Sequence, residues 1–254
     1  MNCALLLKVG ANLKENQGLS PIFSDNSFEY IPAPLESSFN KNKKHNHKHY
    51  SHLNCQNTNL HGMHLSSFVE EGTAHFDPEF YTFTYGETRK AQIAQLKNLN
   101  DDDLLLFCAS LQLYDTKEAN FILNGKANLY IIGYFIIENS MQDILELKGP
   151  IEEENLGNFK TSCNEHIIYK DSHIVTPAKK PLLLIQGDTH RSVFFKRPLK
   201  IAESFTPLPK YVKNWKMEKT KITDSIKVCL NYSQILSDLE KHAKNNHWTE
   251  WNIP

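Results

Sequence analysis

Gly187-Asp188-Thr189-His190-Arg191-Ser192 gathers a glycine, two hydroxyl donors, an imidazole and a guanidinium into six residues. A glycine turn between strands lets backbone amides and short hydroxyl side chains approach a phosphate or a base, and Arg191 adds positive charge. Val193-Phe194-Phe195-Lys196-Arg197 follows at once. Its imperfect alternation of aromatic and basic residues suits stacking on bases beside phosphate contacts. The competing reading is an ordinary hairpin turn leading into a solvated basic strand. His190, Arg191 and Ser192 are the leading nucleotide-binding candidates.

Two other segments carry usable groups. Asn164-Glu165-His166 precedes a predicted strand, which puts an amide able to read a base edge and an imidazole able to stack or shuttle a proton at a sheet end. A structural histidine is the alternative there. In His75-Phe76-Asp77-Pro78 the residue before proline is biased to extended backbone, so Asp77 projects in a fixed direction. Asp77 is a candidate general base, a partner for Arg89, or the cap of a turn. Arg89 either binds an anion near a helix N-terminus or pairs with Glu87 or another acid. Asp77 and His166 are thus the catalytic candidates, and Arg89 and Asn164 join the binding set.

His45, His47, His49, His52, His61 and His64 crowd one tract, and imidazole is a good ligand for zinc, nickel or copper. A fixed site needs ligands held at set distances by supporting groups. This tract lies among Lys41, Lys43, Lys44, Lys48 and several asparagines, with no apolar anchor. Adventitious metal binding at His45, His47 and His49 is the expectation, with no resident metal or other cofactor. The same tract becomes a basic arm when its histidines protonate. Glycine-rich dinucleotide and phosphate loops, His-Glu-x-x-His and Gly-x-Ser-x-Gly are absent from the sequence, which removes those particular mechanisms.

The 254 residues suit one large domain, and the 40% hydrophobic content with 14 Phe, 10 Tyr and 3 Trp supports a true core. No run of 18 apolar residues occurs and Ala4-Leu5-Leu6-Leu7 is too short for a signal core, so the expected location is cytoplasmic, without a membrane. Cys3, Cys55, Cys108, Cys163 and Cys229 are scattered and odd in number, which reads as free thiols. Net charge is only −1, but residues 176–216 carry nine Lys or Arg against Asp188 and Glu203, whereas 138–154 carry six acids against Lys148. A chain segregated in this way presents a basic face despite its near-neutral total.

The elements that must position these groups are short. Residues 3–9 read as a buried strand, and 20–23 and 28–31 as a hairpin around Ser24-Asp25-Asn26-Ser27. Residues 37–67 lack any period and read as an exposed insertion. Thr88 caps a predicted helix through Leu99 with Ile93, Leu96 and Leu99 on its apolar face. Runs at 104–108, 129–137, 165–169, 182–186 and 193–201 read as strands, with Gly133 marking a bulge, bend or close approach. Ser140 and Asp143 form a capping-box pattern for a short helix, and Tyr232, Ile235, Leu236, Leu239 and Ala243 keep helical spacing. Many short strands with few helices predict an α+β fold, a curved mixed sheet or small β-barrel with flanking helices.

The ordered pieces Gly18-Leu19-Ser20-Pro21-Ile22-Phe23-Ser24-Asp25 running to Tyr30-Ile31-Pro32-Ala33-Pro34, then His75-Phe76-Asp77-Pro78, Asp103-Leu104-Leu105-Leu106-Phe107, Tyr130-Ile131-Ile132-Gly133-Tyr134, Asn164-Glu165-His166 and the segment 187–194 resemble the nucleotide modification associated domain 3 family. Asp-Leu-Leu-Leu-Phe and Ile-Ile-Gly followed late by Arg-Ser-x-Phe are also similar to EVE and ASCH domains, which implies a PUA-like barrel and readers of modified bases or RNA. The first resemblance implies association with modified nucleotides. It carries over to Asp77, Arg89, Asn164, His166, Arg191 and Ser192, and it spans 1–205, leaving 206–254 as a C-terminal extension ending in a helix. A nucleic-acid or modified-nucleotide binding protein linked to nucleotide or DNA modification is the expected function. The alternatives are an enzyme using general acid/base chemistry on a nucleotide or modified base, and a structural or partner-binding protein.

Overall fold

The computed structural model describes residues 2–9, 20–34, 49–69, 72, 74–75, 77–115, 122–138, 142–143, 151–152, 169–170, 173–174, 183–219, 222, 226–229 and 231–247. In chain order the strands are Ala4–Lys8 (β1), Ser20–Ile22 (β2), Ala33–Pro34 (β3), Ala74–His75 (β4), Thr84–Glu87 (β5), Leu104–Asp115 (β6), Ile122–Ile136 (β7), Gln142–Asp143 (β8), Ile151–Glu152 (β9), Tyr169–Lys170 (β10), His173–Ile174 (β11), Leu183–Gln186 (β12), Val193–Glu203 (β13), Thr206–Pro207 (β14) and Ile226–Cys229 (β15). The α-helices are Lys90–Leu96 (α1), Pro209–Asn214 (α2) and Tyr232–Ala243 (α3).

The main sheet runs β14-β13-β7-β6-β1-β15, with β2 also beside β6. β1 and β2 lie parallel to β6, while β7, β13, β14 and β15 pair antiparallel with their neighbours. The result is a curled mixed sheet, a half-barrel, with few helices: the α+β class expected from the sequence. Alternation along β1 and β6 sorts side chains onto two faces. Leu5, Leu7, Leu105 and Phe107 meet Ile93 and Leu96 of α1 and Leu183 and Ile185 of β12. Ala4, Leu6, Leu104 and Leu106 meet Trp215 and the Ile235, Leu239 and Ala243 stripe of α3. Burying each such leucine contributes about 2–3 kcal/mol, so α3 is held by its packed stripe rather than by intrinsic helicity.

Four local expectations change. Residues 20–31 do not form a laddered hairpin: Ile22 and Phe28 share a single bridge, and β2 takes its ladder from β6. The short helix expected to open at Ser140 is not seen at its described residues, because Gln142 and Asp143 are β8, paired to β12; the flanking residues lie outside the described set. Helix α1 has Arg89, not Thr88, at its N-cap. No side chain caps that end; Glu87, just upstream, accepts the Thr88 and Arg89 amides at 2.9 and 2.8 Å. Finally, the strands flanking Gly187 do not pair with each other, since β12 joins β5 and β8 whereas β13 joins β7 and β14. The 187–192 turn passes between two sheets, so it is not the hairpin turn that the competing reading required.

The tract expected to be an exposed insertion is packed from Tyr50 onward. Tyr50, Leu53 and Leu65 are buried with Ile31, Val69 and Ala74 in a satellite core, and Leu60 packs with Phe23 and Tyr114. Three single-turn 3-10 segments carry Tyr50, Leu60 and Leu65. Their apolar residues anchor singly against the body, which is why no period announces them.

Candidate nucleic-acid interface

Asp188 organises the turn. Its Oδ1 accepts the His190 amide at 2.8 Å and the Arg191 amide at 3.2 Å, and its carbonyl accepts the Ser192 amide at 2.8 Å, the local bonding for which aspartate is favoured in turns. Gly187 donates its amide to the Phe83 carbonyl at 2.8 Å. A Cβ there would meet Ser192 Oγ at 2.5 Å and Phe135 Cβ at 2.7 Å, so close approach requires the glycine. Ser192 is buried, and its Oγ accepts the Ile136 amide at 3.1 Å. Its hydroxyl therefore ties the turn to β7.

Arg191 is half exposed and bridges two carboxylates, with Nε bonded to Asp188 and Nη1 to Asp102 Oδ1 at 2.6 Å. Those hydrogen bonds, to Asp188 first and Asp102 next, hold its pKa above the ordinary arginine value. For Asp188, desolvation pushes upward, but the bonds from Arg191 and the His190 amide prevail and hold the carboxyl below the usual range. Asp102 has φ 66°, a left-handed conformation that aspartate tolerates. Its carbonyl accepts the Tyr232 hydroxyl at 2.6 Å. The turn before β6, the 187–192 turn and the first residue of α3 are thereby joined at Asp102.

A groove of about 610 Å³ opens between the turn and α3. Its floor includes Tyr134, Ile136, Val193 and Ala243, and its polar wall comprises His190, Arg191, Lys241, Lys244 and His247 with Glu240 and Ser237. Residues 237, 240, 241 and 244 share one helical face by their spacing of three and four. Beyond α3 the chain clamps onto β13: the Lys196 amide donates to the Asn246 carbonyl at 3.1 Å and the Arg197 amide to Asn246 Oδ1 at 2.7 Å. The volume suits a nucleotide-sized ligand; the wall offers Lys241, Lys244 and Arg191, the last already paired with Asp188 and Asp102, beside Glu240, a carboxylate able to accept from a base amine.

The other sequence candidates stand elsewhere. Asp77 is buried, its Oδ1 accepting the Gly86 amide at 2.9 Å and its Oδ2 lying 3.8 Å from His75 Nε2. Arg89 forms a fork on Glu87 at 3.0 and 2.9 Å, the pairing alternative read from the sequence. Glu87 also accepts the Tyr85 hydroxyl at 2.7 Å. Burial pushes the Glu87 carboxyl up, yet these bonds win and hold it below its ordinary value. Neither Asp77 nor Arg89 lines the groove. Asn164, His166, His45 and His47 lie outside the described residues. The His49 ring meets the His52 ring edge-on at 5.7 Å, and among the described residues no group of three or more His, Cys, Asp or Glu is arranged to hold a metal ion. Likewise no described helix is long and apolar enough to cross a membrane.

Lys241, Lys244 and His247 were missed by sequence reasoning. The signal is the basic run Lys241 to His247 at the end of the α3 pattern, whose apolar spacing alone predicts a helix and no site. A family model described as nucleotide modification associated domain 3 matches residues 4–250, running through the C-terminal segment as well. No curated protein and no solved structure matches the chain.

Proposed function

The chain belongs to the nucleotide modification associated domain 3 family, and from that membership we propose that it binds a nucleotide or nucleic acid in the groove between the 187–192 turn and α3. The observation that carries this reading is the convergence of His190 and Arg191 with Lys241, Lys244 and His247 on one concave surface, although some fifty residues separate the two segments in sequence. Phosphate oxygens contact Lys241, Lys244 and the guanidinium of Arg191, which its two carboxylates already orient. Glu240 accepts from a base amine. The curled sheet is also what a PUA-like architecture implies, and that likeness belongs to the same proposal.

Lys244 is exposed on the helix surface, so reversing its charge tests the groove without disturbing the core. Lys244→Glu weakens binding of a labelled oligonucleotide by about tenfold, similarly across sequences, as expected for a phosphate contact. Fluorescence anisotropy at fixed salt reads this directly. Unchanged affinity in the variant, or binding of neither an oligonucleotide nor a mononucleotide by the wild-type chain, removes the reading.

A further inference from the structure

A second depression of about 400 Å³ borders α3, lined by Lys210, Tyr211 and Asn214 of α2 together with Asp238, Lys241 and His242 of α3. Lys241 belongs to both linings. Asp238, the acid of this second depression, is already engaged, accepting Trp215 Nε1 at 2.7 Å and Gln234 Nε2 at 2.9 Å. His242 is likewise committed, with Nε2 2.8 Å from the Arg197 carbonyl and 2.7 Å from Asn246 Nδ2. Lys210 is exposed, its ammonium 4.6 Å above the Tyr211 ring, and Lys241 is exposed between the two hollows.

We infer that the ligand is an extended nucleic-acid strand, with one phosphate beside Arg191 and Lys244, another beside Lys210, and one beside Lys241 between them. The inference rests on the proposed reading of the first groove and specifies its ligand. Adenosine monophosphate carries a single phosphate, so one seated beside Arg191 and Lys244 does not also place a phosphate beside Lys210 in the second hollow. A strand of a few nucleotides does, and each phosphate it lays on a lysine releases a counterion. Cations that follow a backbone across a surface are the usual means of holding a single strand without strong sequence preference. The tether between α2 and α3 keeps the two hollows in register, because Trp215, at the end of α2, is fully buried and bonded to Asp238 of α3.

The test compares adenosine monophosphate with a single strand of about 12 nucleotides, using the wild-type chain, Lys244→Glu and Lys210→Glu. Lys210→Glu weakens the oligonucleotide about tenfold and leaves the mononucleotide unchanged. Lys244→Glu weakens both. Thermal unfolding matching the wild type shows that Lys210→Glu and a companion Lys210→Ala remain folded. If neither Lys210 variant alters oligonucleotide affinity while Lys244→Glu does, the extended-strand inference fails and the first groove stands. An oligonucleotide that binds no more tightly than the mononucleotide also overturns the inference. If Lys244→Glu alters nothing, the inference and the groove reading fall together.

Discussion

At the scale of the residue, acids with opposite electrostatic balances shape this chain. Asp188 is stabilised as a carboxylate by Arg191 and by turn amides. Glu29, 3% exposed, is dominated by desolvation, which outweighs the Asn57 and Gln56 amide bonds and raises its pKa to about 7. Its Oε2 accepts the Asn57 amide at 2.8 Å, while Asn57 Nδ2 donates to the Phe28 carbonyl at 3.0 Å. This junction fastens the 49–69 segment to the body. A carboxyl whose pKa is raised by folding contributes stability that is complete below its unfolded pKa and lost as pH rises through the folded one. Wild-type stability therefore falls between about pH 4.5 and pH 7, by up to about 3 kcal/mol from this residue. Glu29→Gln keeps an acceptor for the Asn57 amide and cannot ionise, so its urea midpoint loses this fall and exceeds the wild type's at pH 8. Parallel pH profiles for the two chains would falsify the assignment.

At the scale of the element, the contact between β7 and β13 decides how the groove is presented. The register between β6 and β7 slips between Phe107/Gly133 and Cys108/Ile131, leaving Ile132 as the extra residue of a bulge. A Cβ on Gly133 would stand 2.6 Å from the Val193 carbonyl and 2.8 Å from Phe80 Cε1. The nearer atom is backbone, so Gly133→Ala separates the strands instead of turning a rotamer. Overpacking of this kind costs about 1–3 kcal/mol, or a melting temperature lower by roughly 2–12 °C in a chain of this size. Because Val193 also lines the groove, oligonucleotide affinity falls with it; a variant as stable as wild type contradicts the close approach. Gly133 and the β6 and β7 cores were legible because β-branched and aromatic residues dominate there. Helix α3 was legible because its stripe recurs at three and four. Pairing was not: the partner of β2 lies some ninety residues away at Leu111 to Leu113, and the capping pattern at Ser140 favoured a helix until β12 took Gln142 and Asp143 into a sheet. Long-range ladders override local propensity.

At the scale of the whole molecule, uneven charge becomes a located surface. The basic run at 176–216 contains Arg191, but the other half of the surface is built by α3, which the sequence does not tie to that run. What joins them is the main sheet: β13 leads away from the turn, α3 packs its Ile235, Leu239 and Ala243 stripe on the face carrying Phe195 and Ile201, and Asn246 closes onto Lys196 and Arg197. No sequence pattern encodes that three-part contact, so only half of the candidate wall could be read in advance. The cations of the two hollows are Arg191, Lys241, Lys244 and Lys210; Arg191 is already paired with Asp188 and Asp102, so a single strand lying on them has about three phosphates neutralised, by the three lysines. Each neutralised phosphate contributes about 0.7 to the slope of log affinity against log salt for single strands, which sets the expected slope near −2. Lys210→Glu lowers its magnitude by about 0.7, since one contact is lost. The small net charge of −1 offers no general attraction for a polyanion, so a steep slope must come from a local surface. Titration between about 50 and 200 mM salt measures it. A slope near zero, or one that Lys210→Glu leaves unchanged, means that these cations do not track a phosphate backbone.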